Sequence, residues 1–179
     1  YRQLVDAITA RTNVRLAYDS VAEHKEIQTK LSPYRMLFSR RSWYVIGRSS
    51  LHRAIRTFNV ARVGGVEMLD EKFTIPRGFS IERYLGNAWH LIPEAGPDRD
   101  VHLRFTPLVA RNVAEVTWHR TQQTSFREDG ALDFKVRVSG LWEISWWIMG
   151  YGDQVEVIAP DELRETVRRR AANVVSRYG

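Results

Sequence analysis

Between Ile27 and Val66 the chain has no aspartate or glutamate, yet Lys30 and seven arginines (35, 40, 41, 48, 53, 56 and 62) fall inside. That window carries +8 while the whole chain carries +6, so the residues outside it sum to −2. The basicity is local. Aromatic residues interleave with the cations: Tyr34, Phe38, Trp43, Tyr44 and Phe58. Guanidinium groups neutralise phosphates and flat side chains stack on bases, so the composition suits a ligand bearing both. Scattered charges more often form a solvated face. Eight cations without a local acid repel one another on adjacent strands, however, and a bound anion relieves that repulsion.

Other chemistry is poorly supplied. With no cysteine there is no disulfide framework, thiolate metal site or thiol nucleophile. The five histidines (24, 52, 90, 102 and 119) show no metal-ligand spacing. The basic window offers no carboxylate to hold Mg²⁺ or act as a base. No Gly-x-Ser-x-Gly, Walker or Gly-x-Gly-x-x-Gly pattern occurs. The expectation is a binding module without cofactor, metal or catalysis, with a nucleic-acid-processing enzyme as the rival. No apolar run reaches the ~18 residues of a membrane span, and no signal peptide opens the chain, which fits a cytoplasmic protein. An opening at Tyr1 rather than Met is expected of a piece of something longer.

These residues must be positioned by short elements. Residues 1–10 have helical spacing at Leu4, Val5 and Ile8. Alternation then predicts strands over 13–18, 27–31, 35–38, 43–48 and 55–60, with Ser39-Arg40-Arg41-Ser42 as a tight turn. Five short strands with tight connections suggest a small closed sheet of the SH3 or Sm type. Alternation also sorts the side chains. Trp43 shares a face with Val45, and Tyr44 with Ile46 and Arg48. Trp43 and Phe58 are expected in the core.

Residues 70–100 read as a linker rich in Pro and Gly with a short helix near 81–85, separating a first domain (1–69) from a second (101–179). In the second, strand 101–105 leads through Thr106-Pro107 into a helix, the hydroxyl expected as its cap. Asp129-Gly130 marks a hairpin. Helix 142–149, strand 154–158 and helix 161–178 complete a ferredoxin-like βαββαβ order with a tail helix, hence an α+β chain. On helix 142–149 the spacing assigns Trp142, Trp146 and Met149 to the core and Trp147 to a contact outside it. In the last helix Leu163, Val167, Ala171, Val174 and Tyr178 form one stripe.

Pro33-Tyr34, Trp43-Tyr44-Val45, Ile55-Arg56-Thr57-Phe58 and Arg62-Val63 together resemble the signature of WYL-domain transcriptional regulators, and the second half resembles the C-terminal extension that often follows a WYL domain. The resemblance implies an SH3/Sm-like fold and a basic site on Arg56 and Arg62, with Tyr34, Ser39, Arg41 and Trp43 nearby. Arg35, Arg40 and Tyr44 complete the candidate set. Where relatives carry a basic residue four positions before the arginine of Arg-Thr-Phe, this chain has His52, with Arg53 beside it as the alternative phosphate contact. The usual Arg-x-x-Arg is here Asn59-Val60-Ala61-Arg62. What the resemblance further implies is a ligand-sensing homodimer. Its ligand would be single-stranded DNA or another nucleic acid, with a cyclic dinucleotide or other small anion as the alternative. Promoter DNA would be read by a helix-turn-helix outside this chain. The apolar side chains of 67–100 would then dock on the partner, bringing Arg104 or Arg137 near the partner's arginines.

Overall fold

A computed structural model of the chain describes residues 1–21 and 23–179, in two compact units, Tyr1–Arg83 and Tyr84–Gly179. In the first unit, α1 (Arg2–Ala10) buries Leu4 and Ala7 and ends at Arg11, which takes the left-handed conformation. Five antiparallel strands follow: β1 (Thr12–Ser20), β2 (Lys25–Ser39), β3 (Ser42–Ser49), β4 (Ala54–Asn59) and β5 (Val63–Lys72). Their order is β4-β3-β2-β1-β5. The expected barrel is not closed, because β4 and β5 form the two edges of the sheet rather than pairing with each other. Between them a 3-10 turn, Val60–Arg62, is held by the Asn59 side chain, which accepts from the Ala61 N–H at 2.9 Å. The α+β class stands.

Two further details depart from expectation. Residues 27–31 and 35–38 belong to one strand, β2, which bends where the register shifts between Pro33 and Arg35. Pro33 has no N–H to give the ladder, so the bend falls there. Strand β5 escaped the sequence reading because it lies largely exposed at an edge and does not alternate. The core of this unit gathers Leu4, Val14, Leu16, Leu31, Val45 and Phe58. Gly47 lies in β3 opposite Arg56, and a Cβ there would collide with the Ser32 carbonyl, so β2 and β3 close only over a bare backbone.

The second unit has the expected ferredoxin-like order. After the short helix α2 (Ile81–Leu85), it runs β6 (Arg99–Phe105), α3 (Pro107–Ala114), β7 (Gln123–Phe126), β8 (Leu132–Val138), α4 (Trp142–Met149), β9 (Val155–Ala159) and α5 (Asp161–Tyr178), with sheet order β7-β8-β6-β9. Gly130 turns the β7–β8 hairpin at φ 82, and the Asp129 carboxylate accepts from the Ala131 N–H. Pro107 opens α3 as expected, but the Thr106 hydroxyl leaves the helix end and donates to Gln154 Oε1 at 2.5 Å. Helix α4 is turned relative to expectation. Ile144 and Ile148 are fully buried and Trp147 packs into the core, whereas Trp142 and Trp146 are 52% and 57% exposed. Trp147 touches Trp89, Phe105, Trp118, Phe134 and Tyr151.

Residues 70–100 divide between the units instead of forming a free tether. Phe73 and Phe79 pack on Tyr34 in the first unit, while Trp89 and Leu91 are buried in the second. The Glu143 carboxylate of α4 fastens the second half by accepting the N–H groups of His90, Leu91 and Ile92 at 2.8–3.2 Å. These four side chains therefore have packing partners within their own units, whereas Ile92 stays half exposed. Among the described residues no helix is long and apolar enough to cross a membrane.

Candidate functional site

Strand register decides which of the candidate residues meet. Hairpin β2–β3 closes through a two-residue turn, with Ser39 opposite Ser42 and Phe38 opposite Trp43. Both turn residues, Arg40 and Arg41, take positive φ (47 and 64), the geometry in which such turns usually carry Asn or Gly. Left-handed backbone costs a residue with a side chain on the order of 1–2 kcal/mol. Arginine here is locally unfavourable, which is typical of positions kept for a task other than folding.

Next to this turn lies an exposed aromatic row. Trp43 contacts Phe38 on one side and Tyr1 on the other, each with ring centroids 5.2 Å apart. Trp43 is 39% exposed, Phe38 57% and Tyr1 58%. The core assignment for Trp43 is thus corrected. Its side of the sheet is the buried one, but it lies at the strand end, beyond the core formed by Val45 and Phe58. Phe58 is buried as expected. The turn carrying Arg62 packs against β3, and Asn59, just before it, pairs with Tyr44. This end of the sheet therefore collects Arg40, Arg41, Arg62, Ser39, Trp43 and Tyr44.

The remaining candidates lie elsewhere. Arg35 and Arg48 share the opposite face with Ile46, and Arg56 projects from edge strand β4 beside Gly47. His52 and Arg53 occupy the β3–β4 turn, a full strand length from Arg40 and Arg41, about 23 Å at roughly 3.3 Å per residue. Arg53 also has positive φ, 52. Tyr34 is only 2% exposed, its ring held among Phe73 and Phe79; burial pushes its hydroxyl pKa up, against the pull of Arg48. Its faces are occupied by core contacts rather than open for stacking.

Sequence reasoning missed the acids that approach from outside the basic window. Lys30 pairs with Glu71 at 2.7 Å, and His52 Nε2 lies 3.0 Å from Glu23 Oε1. The other ring nitrogen of His52 meets Ser49 Oγ at 2.8 Å, which in turn meets Thr29 Oγ1 at 2.8 Å. Serine, histidine and glutamate in series have the composition of a nucleophile relay. Ser49 has no exposed surface, however, so no substrate reaches its Oγ. The series fixes the β3–β4 turn. By contrast Arg35, Arg41, Arg48, Arg53, Arg56 and Arg62 are all exposed and form no salt bridge among the described residues. Among the described residues no cluster of three or more His, Asp or Glu is placed to hold a metal ion.

An open, cation-rich sheet followed by a ferredoxin-like unit defines the class of protein. The family model of the WYL domain matches residues 1–68, and that of the WCX domain matches residues 97–175. The chain belongs to the WYL-domain family, in the arrangement of a WYL domain followed by a WCX domain. No curated protein matches it. Among solved structures, a CRISPR Cas-related protein is similar in fold, with TM-score 0.64 and 11% identity over 98% of this chain and 51% of that one. Proteasome accessory factor B/C (PafBC) of Arthrobacter aurescens aligns over 99% of this chain and 26% of that one, at 20% identity and TM-score 0.42. The chain thus spans about a quarter and about half of the solved chains it aligns with.

Proposed function

We propose that the chain is the ligand-sensing and dimerising part of a cytoplasmic bacterial transcriptional regulator, and that its effector is a short single-stranded nucleic acid, DNA in preference to RNA. One observation carries this reading. Arg41, in the β2–β3 turn, and Arg62, in the 3-10 turn against β3, form no salt bridge among the described residues, and the same hairpin exposes the rings of Phe38 and Trp43, with Tyr1 against Trp43. Cations track a phosphate backbone and rings receive bases, a combination that binds single strands with little sequence preference. Arg56 lies on the Trp43 side of the sheet on β4 and Arg53 in the β3–β4 turn, while Arg35 and Arg48 make the other face basic as well. A surface about 23 Å long favours an extended strand over a compact cyclic dinucleotide. The buried Ser49 hydroxyl supports binding without catalysis.

In this reading the effector acts by binding one arrangement of a homodimer more tightly than another. A separate helix-turn-helix domain then reads promoter DNA. The test is oligonucleotide binding against salt. Each phosphate neutralised on a single strand contributes a slope of about −0.7 in log K against log salt, so three to five contacts give roughly −2 to −3.5. A flat response, or cleavage of the oligonucleotide in Mg²⁺, overturns the proposal.

A further inference from the structure

From Ala171 to Tyr178 every residue of α5 is exposed, including Val174 at 45%, Val175 at 70% and Tyr178 at 90%. The first half of the same helix is anchored, with Leu163 fully buried and Val167 against the core. Two helical turns do not hold by themselves in water; they persist by packing an apolar face. Valine weakens the segment further, since its branched side chain is a poor helix former. Ala171, Val174, Val175 and Tyr178 recur at the spacing of one helix side. That side continues onto α4. Arg170, one turn before Val174, lies over both exposed indoles, 4.8 Å from the Trp142 ring and 4.0 Å from that of Trp146, and donates to Ser145 Oγ.

We infer that this strip is where two copies of the chain meet, α5 against α5, antiparallel about a two-fold axis between Val174 and Val175. The inference rests on the dimer reading above and assigns it a place. A two-fold contact requires a surface complementary to itself. The pairing that sets Val174 opposite Val175 also sets Ala171 opposite Tyr178, so the smallest side chain of the strip faces the largest, twice. The one charge within the segment, Arg177, lies at the margin of this side, level with Arg170, and faces Ala172 of the other copy, so no like charges meet at the axis. A stable interface covers about 800 Å² per partner. Two turns of helix fall short of that, and the flanking Trp142 and Trp146 extend the covered surface.

The absence of cysteine makes the test direct. Val174→Cys places one thiol near the axis in each copy, and mild oxidation is expected to give a disulfide-linked dimer on a non-reducing gel. Asn173→Cys, on the far side of the helix, is expected to stay uncrosslinked. In light scattering the parent chain is expected at about twice 20.8 kDa, and the double variant Val174→Glu, Val175→Glu at 20.8 kDa with an unchanged melting temperature. If the parent is a dimer but the double variant remains one and Val174→Cys does not crosslink, the interface lies elsewhere and only the dimer reading survives. A parent that is monomeric and uncrosslinked overturns both.

Discussion

In the WCX unit Arg104 and Arg127 converge on Asp133 at 3.0 and 3.2 Å, Arg99 reaches Glu162 and Arg168 reaches Glu165. In the WYL unit Arg35, Arg41, Arg48, Arg53, Arg56 and Arg62 face solvent without such partners among the described residues. Aromatic residues divide the same way. The WCX unit packs Trp89, Phe105, Phe134 and Trp147 together in its core, whereas the WYL unit leaves Tyr1, Phe38 and Trp43 at the edge of its sheet. The division is one of degree, since the WCX unit also exposes Trp142 and Trp146 and the WYL unit also buries Tyr34 and Phe58. Local composition alone therefore does not separate the two sets of arginines; their acid partners do.

The sharpest way to break this contrast is to truncate one tryptophan from each unit. Trp147→Ala is expected to cost about 3–5 kcal/mol in chemical denaturation, through the lost ring contacts and the cavity left behind. Trp43→Ala should leave stability nearly unchanged while lowering affinity for single-stranded DNA. Equal losses of stability would mean that Trp43 is structural after all.

Next in size are the arginines. Arg41→Ala, Arg56→Ala or Arg62→Ala should each weaken oligonucleotide binding by about 1.5–3 kcal/mol, the value of a charge-assisted contact, measured by fluorescence anisotropy. Arg127→Ala should leave binding alone and lower the melting temperature instead. Uniform effects across both units would reduce the contrast to general electrostatics.

Asp133 offers a related test by pH. Burial opposes its ionisation, but hydrogen bonds from His102, Arg104 and Arg127 prevail and hold its pKa at about 2. A carboxyl with a lowered folded-state pKa stabilises fully above its unfolded value of about 3.9, and that stability disappears as pH falls through about 2. Asp133→Asn should remove roughly 2 kcal/mol at pH 7 and flatten the acid limb of the stability curve. The smallest effect is expected at the hairpin turn. Arg41→Gly relieves left-handed strain and should stabilise by up to about 1 kcal/mol while weakening the ligand, so folding and binding would move in opposite directions.

Much of the architecture was legible in alternation and turn residues, down to the ferredoxin-like order and the turn at Asp129-Gly130. Of what was not, three features show why. Helix α4 is apolar on nearly every side, so its spacing could not tell Trp147 from Trp146; the anchoring of Glu143 to three backbone N–H groups fixes its rotation. Alternation placed Trp43 on the correct side of the sheet but could not say that the core ends one residue pair earlier. The pairing of His52 with Glu23 spans 29 residues and joins two turns, a relation no local pattern contains.

Gly47 bears on how this sequence can vary. Any side chain there drives into the Ser32 carbonyl, so in a scan of all substitutions position 47 should tolerate as little as the buried leucines, although it contributes no side chain to the interior. Arg56, its cross-strand neighbour, should accept almost every residue when folding alone is selected, and few when binding is. Two adjacent positions would thus report separately on the two demands placed on the same stretch of sheet.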